Sequence, residues 1–128
     1  MTTVDFDAFA DEFARVYNAG RLDIKQFYAD EVIWIEMPGG RNGGRDDFFS
    51  ALDAVEEVLS DAQITEILRT YSNGNLGILE NRWAAKRRDG QGALNALQSW
   101  VWEFDDAGRI TMQRDYFMPI PEEPMGYE

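Results

Sequence analysis

Apolar residues recur three and four positions apart at Phe6, Phe9, Ala10, Phe13, Ala14 and Tyr17. This spacing predicts an amphipathic helix over residues 3–19 with one stripe turned to a core. Thr2 or Thr3 can cap its start, Asp5 and Asp7 suit the positive end of its dipole, and Asn18-Ala19-Gly20 ends it. A short second helix is expected from Arg21 to about Tyr28, burying Leu22 and Phe27. The period then changes. Val32–Met37 is β-branched and aromatic, and Pro38-Gly39-Gly40 closes it as a strand. A glycine-rich loop over 39–44 leads to a third helix, from about Asp46 to Leu59, striped by Phe48, Phe49, Leu52, Val55, Val58 and Leu59.

Four strand-like runs follow, at 62–71, 76–88, 93–104 and 109–117. Ser72-Asn73-Gly74-Asn75, Asp89-Gly90-Gln91-Gly92 and Asp105–Gly108 separate them, each a turn signal. Residues 119–128 hold three prolines without periodicity and read as an irregular tail. Helices segregated from meandering strands predict one α+β domain over 1–128, its helices on one face of a curved sheet and a hollow between them.

Composition narrows the chemistry. The 128 residues carry a formal charge of -12, which disfavours nucleic acid and anionic membrane surfaces as partners. There is no Cys and no His, so thiol nucleophiles and His-based triads are excluded and a metal site is not expected. Acid–base work falls to Asp, Glu, Tyr, Lys or Arg-assisted water, without a cofactor. No secretion signal or membrane-length apolar run is visible, so the expected location is the cytoplasm. The loop Gly39-Gly40-Arg41-Asn42-Gly43-Gly44 lacks the ending of a phosphate-binding loop.

Asp115 stands out, because Asp is depleted from strands and this one lies between Arg114 and Tyr116 within a strand-like run. It is either an exposed or ion-paired structural residue or a carboxylate turned into a pocket.

Four stretches carry a family resemblance: Asn18-Ala19-Gly20, Phe27-Tyr28-Ala29-Asp30-Glu31-Val32, Gly44-Arg45-Asp46, and Phe104–Ile110 with Arg114-Asp115-Tyr116-Phe117. On these the chain resembles the nuclear-transport-factor-2-like (NTF2-like) superfamily over roughly residues 3–118, in its polyketide-cyclase-like (SnoaL-like) branch. The resemblance implies a cone-shaped α+β fold, with three N-terminal helices packed on a curved, mainly antiparallel sheet that encloses a pocket. The closing segment is most similar to limonene epoxide hydrolase, where a Trp-Arg-Asp-Tyr-Phe run carries a catalytic aspartate; Asp115 matches it. That family's Arg-x-Asp pair matches Arg82-Trp83-Ala84, with the acid replaced by Ala84. Its Tyr-x-Asn pair before Met-Pro matches Trp34-Ile35-Glu36 before Met37-Pro38. Relative to ketosteroid isomerase, whose base lies beside a proline ending the first strand, Glu36 is one residue off.

The resemblance puts Arg82 on the concave face, where Glu36, Arg82 and Asp115 would converge. If both acids share the guanidinium, the cluster is a structural ion pair. If only one does, the other is desolvated and titrates near neutrality as an acid or base. Trp34, Leu97, Ser99 and Phe117 would wall the pocket, and Tyr17 would reach its mouth. Trp100 and Trp102, grouped with Phe104, Ile110 and Met112 on the opposite face, would form a homodimer surface. Three functions stay open: a SnoaL-like enzyme performing isomerisation, dehydration, cyclisation or hydrolysis on an apolar oxygenated small molecule; a non-catalytic hydrophobic-ligand-binding or accessory dimeric module; and a divergent epoxide hydrolase.

Overall fold

A computed structural model describes residues 5–120. Helix α1 spans Phe6–Ala19 and α2 spans Arg45–Val55, with a 3-10 helix at Arg21–Phe27. The strands are β1 Tyr28–Met37, β2 Asn42–Gly43, β3 Leu59–Asn73, β4 Leu76–Arg87, β5 Ala93–Phe104 and β6 Ile110–Ile120. They form one sheet in the order β2-β1-β6-β5-β4-β3. Strands β1 and β6 run parallel and every other neighbouring pair is antiparallel. The α+β architecture follows from the pattern, but the helices do not all precede the sheet: α2 lies between β2 and β3.

Local chemistry explains the differences in detail. Asp5 caps α1 by accepting from the Ala8 N–H at 3.2 Å; Thr2 and Thr3 lie outside the described residues. The second helix has three residues per turn, so Arg21 and Ile24 share its inner side and Leu22 is exposed. Helix α2 stops at Val55, which leaves Val58 exposed and lets β3 begin at Leu59. Within the glycine-rich loop, Asn42 and Gly43 pair back onto Ile35 and Trp34, which folds Arg41 over β1. Strand β6 continues through Pro119 and Ile120, so the expected tail cannot begin at 119; residues 121–128 lie outside the described residues.

Helix α1 is joined to the sheet at both ends. At its C-terminal end, Asn18 donates to the Ile64 carbonyl at 2.9 Å and accepts from the Ile64 N–H at 2.7 Å. At its N-terminal end Phe6 presses onto Gly77 of β4, where a Cβ would overlap the ring.

The largest correction concerns which side of β5 faces inward. Trp100, Trp102 and Phe104 are buried under α1, with Phe13 against Trp102 at 4.6 Å and Phe9 against Phe104 at 5.0 Å. They are core, not a dimer surface. The cause is a β-bulge. Phe104 pairs with Ile110 but Glu103 pairs with Met112, so Thr111 is an extra residue on β6. Past the bulge the alternation shifts by one, and Asp115 falls opposite Trp100 on the inner face. Ile110 is buried on that same side, while Met112 is not among the buried core. The outer face instead carries exposed Ile33, Leu97, Tyr116 and Met118.

Candidate functional site

Between the inner face of the sheet, α1 and α2 lies a cavity of about 260 Å³. Strand β1 turns Trp34 and Glu36 into it, and β6 turns Asp115 and Phe117 into it, because alternate residues share a face. Strands β4 and β5 supply Trp83, Gln98 and Trp100. Tyr17 comes from α1, and Phe48, Leu52 and Val55 come from α2. The wall is therefore mainly aromatic, with a few polar groups at defined places, the usual composition of a small-molecule site.

Asp115 is 8% exposed, and Glu36 is its Cα partner across the parallel β1–β6 pair. The Trp34 indole N–H donates to Asp115 Oδ1 at 3.2 Å. Burial pushes the Asp115 carboxyl up to about 7, and the negative charge of Glu36 pushes in the same direction. The Trp34 hydrogen bond, a backbone N–H and the Arg41 charge pull it down, without cancelling the desolvation. The result is a carboxyl in an apolar cavity that exchanges its proton near neutral pH.

Glu36 is held differently. Arg41 donates to it twice, from Nε to Oε1 and from Nη2 to Oε2, both at 2.8 Å. The same guanidinium lies 5.9 Å from the Trp34 ring centroid. The guanidinium bound to Glu36 is therefore that of Arg41 rather than Arg82, and it acts on Asp115 only through its charge. Arg82 points to the outer face, where its nearest acid is Glu66 at 3.3 Å. Inward positions on β4 are Asn81, Trp83 and Ala85, so the match to Arg82 and Ala84 is out of phase with the strand.

Tyr17 accepts a hydrogen bond from the Trp83 indole N–H at 2.9 Å. Burial raises its phenol above the ordinary value, opposed by Arg21 and by the Trp83 bond. Arg21 is itself buried and anchored to Glu56 at 2.6 Å and to the Leu52 carbonyl at 3.2 Å.

The structure thus brings Trp34, Glu36, Asp115, Tyr17 and Phe117 to one cavity. It leaves Arg82, Leu97 and Ser99 off that cavity; Leu97 is 40% exposed and pairs with Arg82 and Met118 on the outer face. Arg41, Trp83, Gln98 and Trp100 line the cavity without having been expected there. For Arg41 a signal existed: it stands five residues from Glu36 across a Pro-Gly-Gly turn, so the returning chain places the two side by side.

No family model matches the chain, and no curated protein matches it. Solved structures do. A protein with a ketosteroid isomerase-like fold from Catenulispora acidiphila, crystallised with trimethylamine, superposes with a TM-score of 0.74 at 13% identity, covering 91% of this chain and 88% of its own. A candidate hydroxylase from Streptomyces galilaeus gives 0.78 at 13% identity, with 97% and 91% covered. A candidate polyketide cyclase from Xanthomonas campestris gives 0.73 at 20% identity, with 86% and 87% covered. At these identities the likeness is one of fold, and its neighbours are NTF2-like proteins and polyketide cyclase candidates. The chain has the NTF2-like, ketosteroid isomerase-like fold.

Proposed function

We propose that the protein is a SnoaL-like enzyme performing cofactor-independent acid–base chemistry on an apolar, oxygenated small molecule, with Asp115 as its proton-transfer group. One observation carries this: a buried carboxyl at about 7 inside an aromatic cavity. A general acid or base works best when its pKa lies near the working pH, and desolvation is how a fold moves an aspartate there. Glu36 and Arg41, bound to each other, hold the mouth-side charge and orient Trp34 toward Asp115. Isomerisation, dehydration and aldol-type cyclisation share the step this site fits, removal of a proton beside a carbonyl and its return elsewhere.

A second reading, a non-catalytic module that holds a hydrophobic ligand, draws support from the aromatic wall and from Arg41 neutralising Glu36. An epoxide hydrolase would need a second free acid beside Asp115, and Glu36 serves only if released from Arg41. A second copy of the chain is the proposed partner, through the outer sheet face bearing Leu97, Tyr116 and Met118.

The test is to incubate the protein in deuterium oxide with bicyclic ketones, β-hydroxyketones and epoxides, following deuterium uptake, water loss and diol formation by mass spectrometry. Conversion by the wild type that disappears in Asp115→Asn, with circular dichroism unchanged, supports the enzyme. Binding without conversion favours the module. Conversion retained in Asp115→Asn sinks the assignment.

A further inference from the structure

The cavity holds a polar group whose orientation is settled by a chain of hydrogen bonds. The Trp100 indole N–H can only donate, and it donates to Asn81 Oδ1 at 3.0 Å. That places the Asn81 amide nitrogen on the other side, where it donates to the Arg82 carbonyl at 3.1 Å and to Gln98 Oε1 at 3.2 Å. Gln98 is therefore held by its oxygen, and its amide NH₂ is the end left over. Among the described residues that NH₂ has no hydrogen-bond partner, and Gln98 lines the cavity. A donor-only indole at one end thus dictates a donor at the other, two amides away.

The position of this donor matters. Gln98 pairs with Phe117 across β5 and β6, and Trp100 pairs with Asp115, so Gln98 and Asp115 are diagonal neighbours on the inner face. Such neighbours lie about 7–8 Å apart at Cα. A carbonyl oxygen bonded to the Gln98 NH₂ would place the adjacent carbon within reach of Asp115.

We infer that Gln98 is the electrophilic and specificity-determining donor of this site, selecting ligands with a carbonyl oxygen, and that Trp100 and Asn81 are positioning residues that fix its amide. The inference deepens the acid–base reading above and rests on the same cavity. In the step it serves, the Asp115 carboxylate takes a proton from the carbon beside the carbonyl. The C–H electron pair becomes the enolate C=C bond, the carbonyl π pair moves onto oxygen, and the Gln98 N–H bonds to that oxygen. Return of a proton to carbon completes an isomerisation or an exchange, with no redox partner needed.

The probes are 1-tetralone and its hydrocarbon parent tetralin, with binding followed by tryptophan fluorescence. The wild type should bind the ketone about fivefold more tightly than the hydrocarbon, one net hydrogen bond. Gln98→Met removes the donor, and Gln98→Glu keeps the acceptor for Asn81 while losing the NH₂. Both should abolish the preference, read as the ratio of ketone to hydrocarbon affinity within each variant. Asn81→Leu should reduce the preference by releasing the amide to turn. The infrared stretch of the bound ketone should be lowered in the wild type and return toward its free value in Gln98→Met. Deuterium exchange beside the ketone should slow on the order of a hundredfold in Gln98→Met. Equal binding of the two probes by the wild type, no detectable ketone binding, or a preference surviving in both Gln98 variants overturns the inference. A full preference in Asn81→Leu overturns the positioning role. A Gln98-dependent preference without any exchange upholds the donor and refutes the proton-transfer role of Asp115, so the two readings fail separately.

Discussion

The Trp34 indole nitrogen stands 3.2 Å from Asp115 Oδ1, although the Cα partner of Trp34 across the parallel pair is Gln113. The indole crosses diagonally to the next inward residue and gives Asp115 a side-chain donor inside an aromatic wall. One neutral donor offsets only part of the desolvation, so the carboxyl remains near 7.

That value makes stability depend on pH. In the unfolded chain Asp115 titrates near 3.8, and in the folded chain near 7. Between these values the folded state binds the extra proton, so stability is greatest near the lower bound and falls as pH rises toward 7. The full cost above pH 7 is about 4 kcal/mol, at roughly 1.4 kcal/mol per unit. Asp115→Asn removes this term, and the variant should be more stable than wild type at pH 8 and similar at pH 4. Urea denaturation at the two pH values measures it; an equal difference at both would refute the buried-carboxyl account.

Arg41→Gln should raise the Asp115 pKa further. The Arg41 charge pulls that pKa down and its two hydrogen bonds occupy Glu36, so its loss leaves two acids without their cation. Carbon-13 titration of the Asp115 carboxyl should show a midpoint above the wild-type value. Arg82→Gln, on the outer face, should not move it.

Gly77→Ala should cost roughly 1–3 kcal/mol, because the new methyl lands on the Phe6 ring and α1 must shift. Adding Phe6→Leu should recover part of the loss if the collision is the cause. A double mutant whose losses simply add would locate the strain elsewhere.

Asn18→Ala should cost about 1–3 kcal/mol by leaving the Ile64 N–H and carbonyl without the partners they have now. Hydrogen exchange should accelerate at the Ile64 amide before it does at the β4–β5 ladder.

Association through the outer face is checked by charging it. Leu97 and Met118 are Cα partners there, 40% and 67% exposed, and Leu97→Glu with Met118→Glu should yield a monomer in sedimentation while leaving cavity ligands bound. A wild type that already sediments as a monomer would dispose of the proposed dimer.

Several of these features were readable from residue spacing. The α1 stripe was, and so was the β5–β6 turn, where Asp105 accepts from the Ala107 and Arg109 N–H groups and Gly108 takes a φ of 81°. Trp34 and Glu36 share a face by alternation alone, and the family resemblance brought Asp115 to the same cavity. What could not be read was the parity of β5 relative to β6, because alternation says which residues travel together and not which set turns inward. A bulge is set by tertiary fit rather than by composition, and the one at Thr111 puts Trp100 and Asp115 on the same face of the sheet. Arg82 failed for a related reason: its neighbours Asn81 and Trp83 take the inward positions on β4. Gln98 carries no signal of its own; its role depends on two partners distant in sequence.

The extra residue at Thr111 has a consequence for how this site can change over descent. Deleting it would restore plain alternation along β6 while keeping the Glu103–Met112 and Trp100–Asp115 pairings, so Asp115 and Phe117 would still face the cavity. The sheet, its turns and its aromatic core would need no other alteration. A single-codon deletion at this point therefore shortens the strand without turning its reactive face, whereas straightening β6 with Thr111 retained and paired to Glu103 would bring Arg114 and Tyr116 inward.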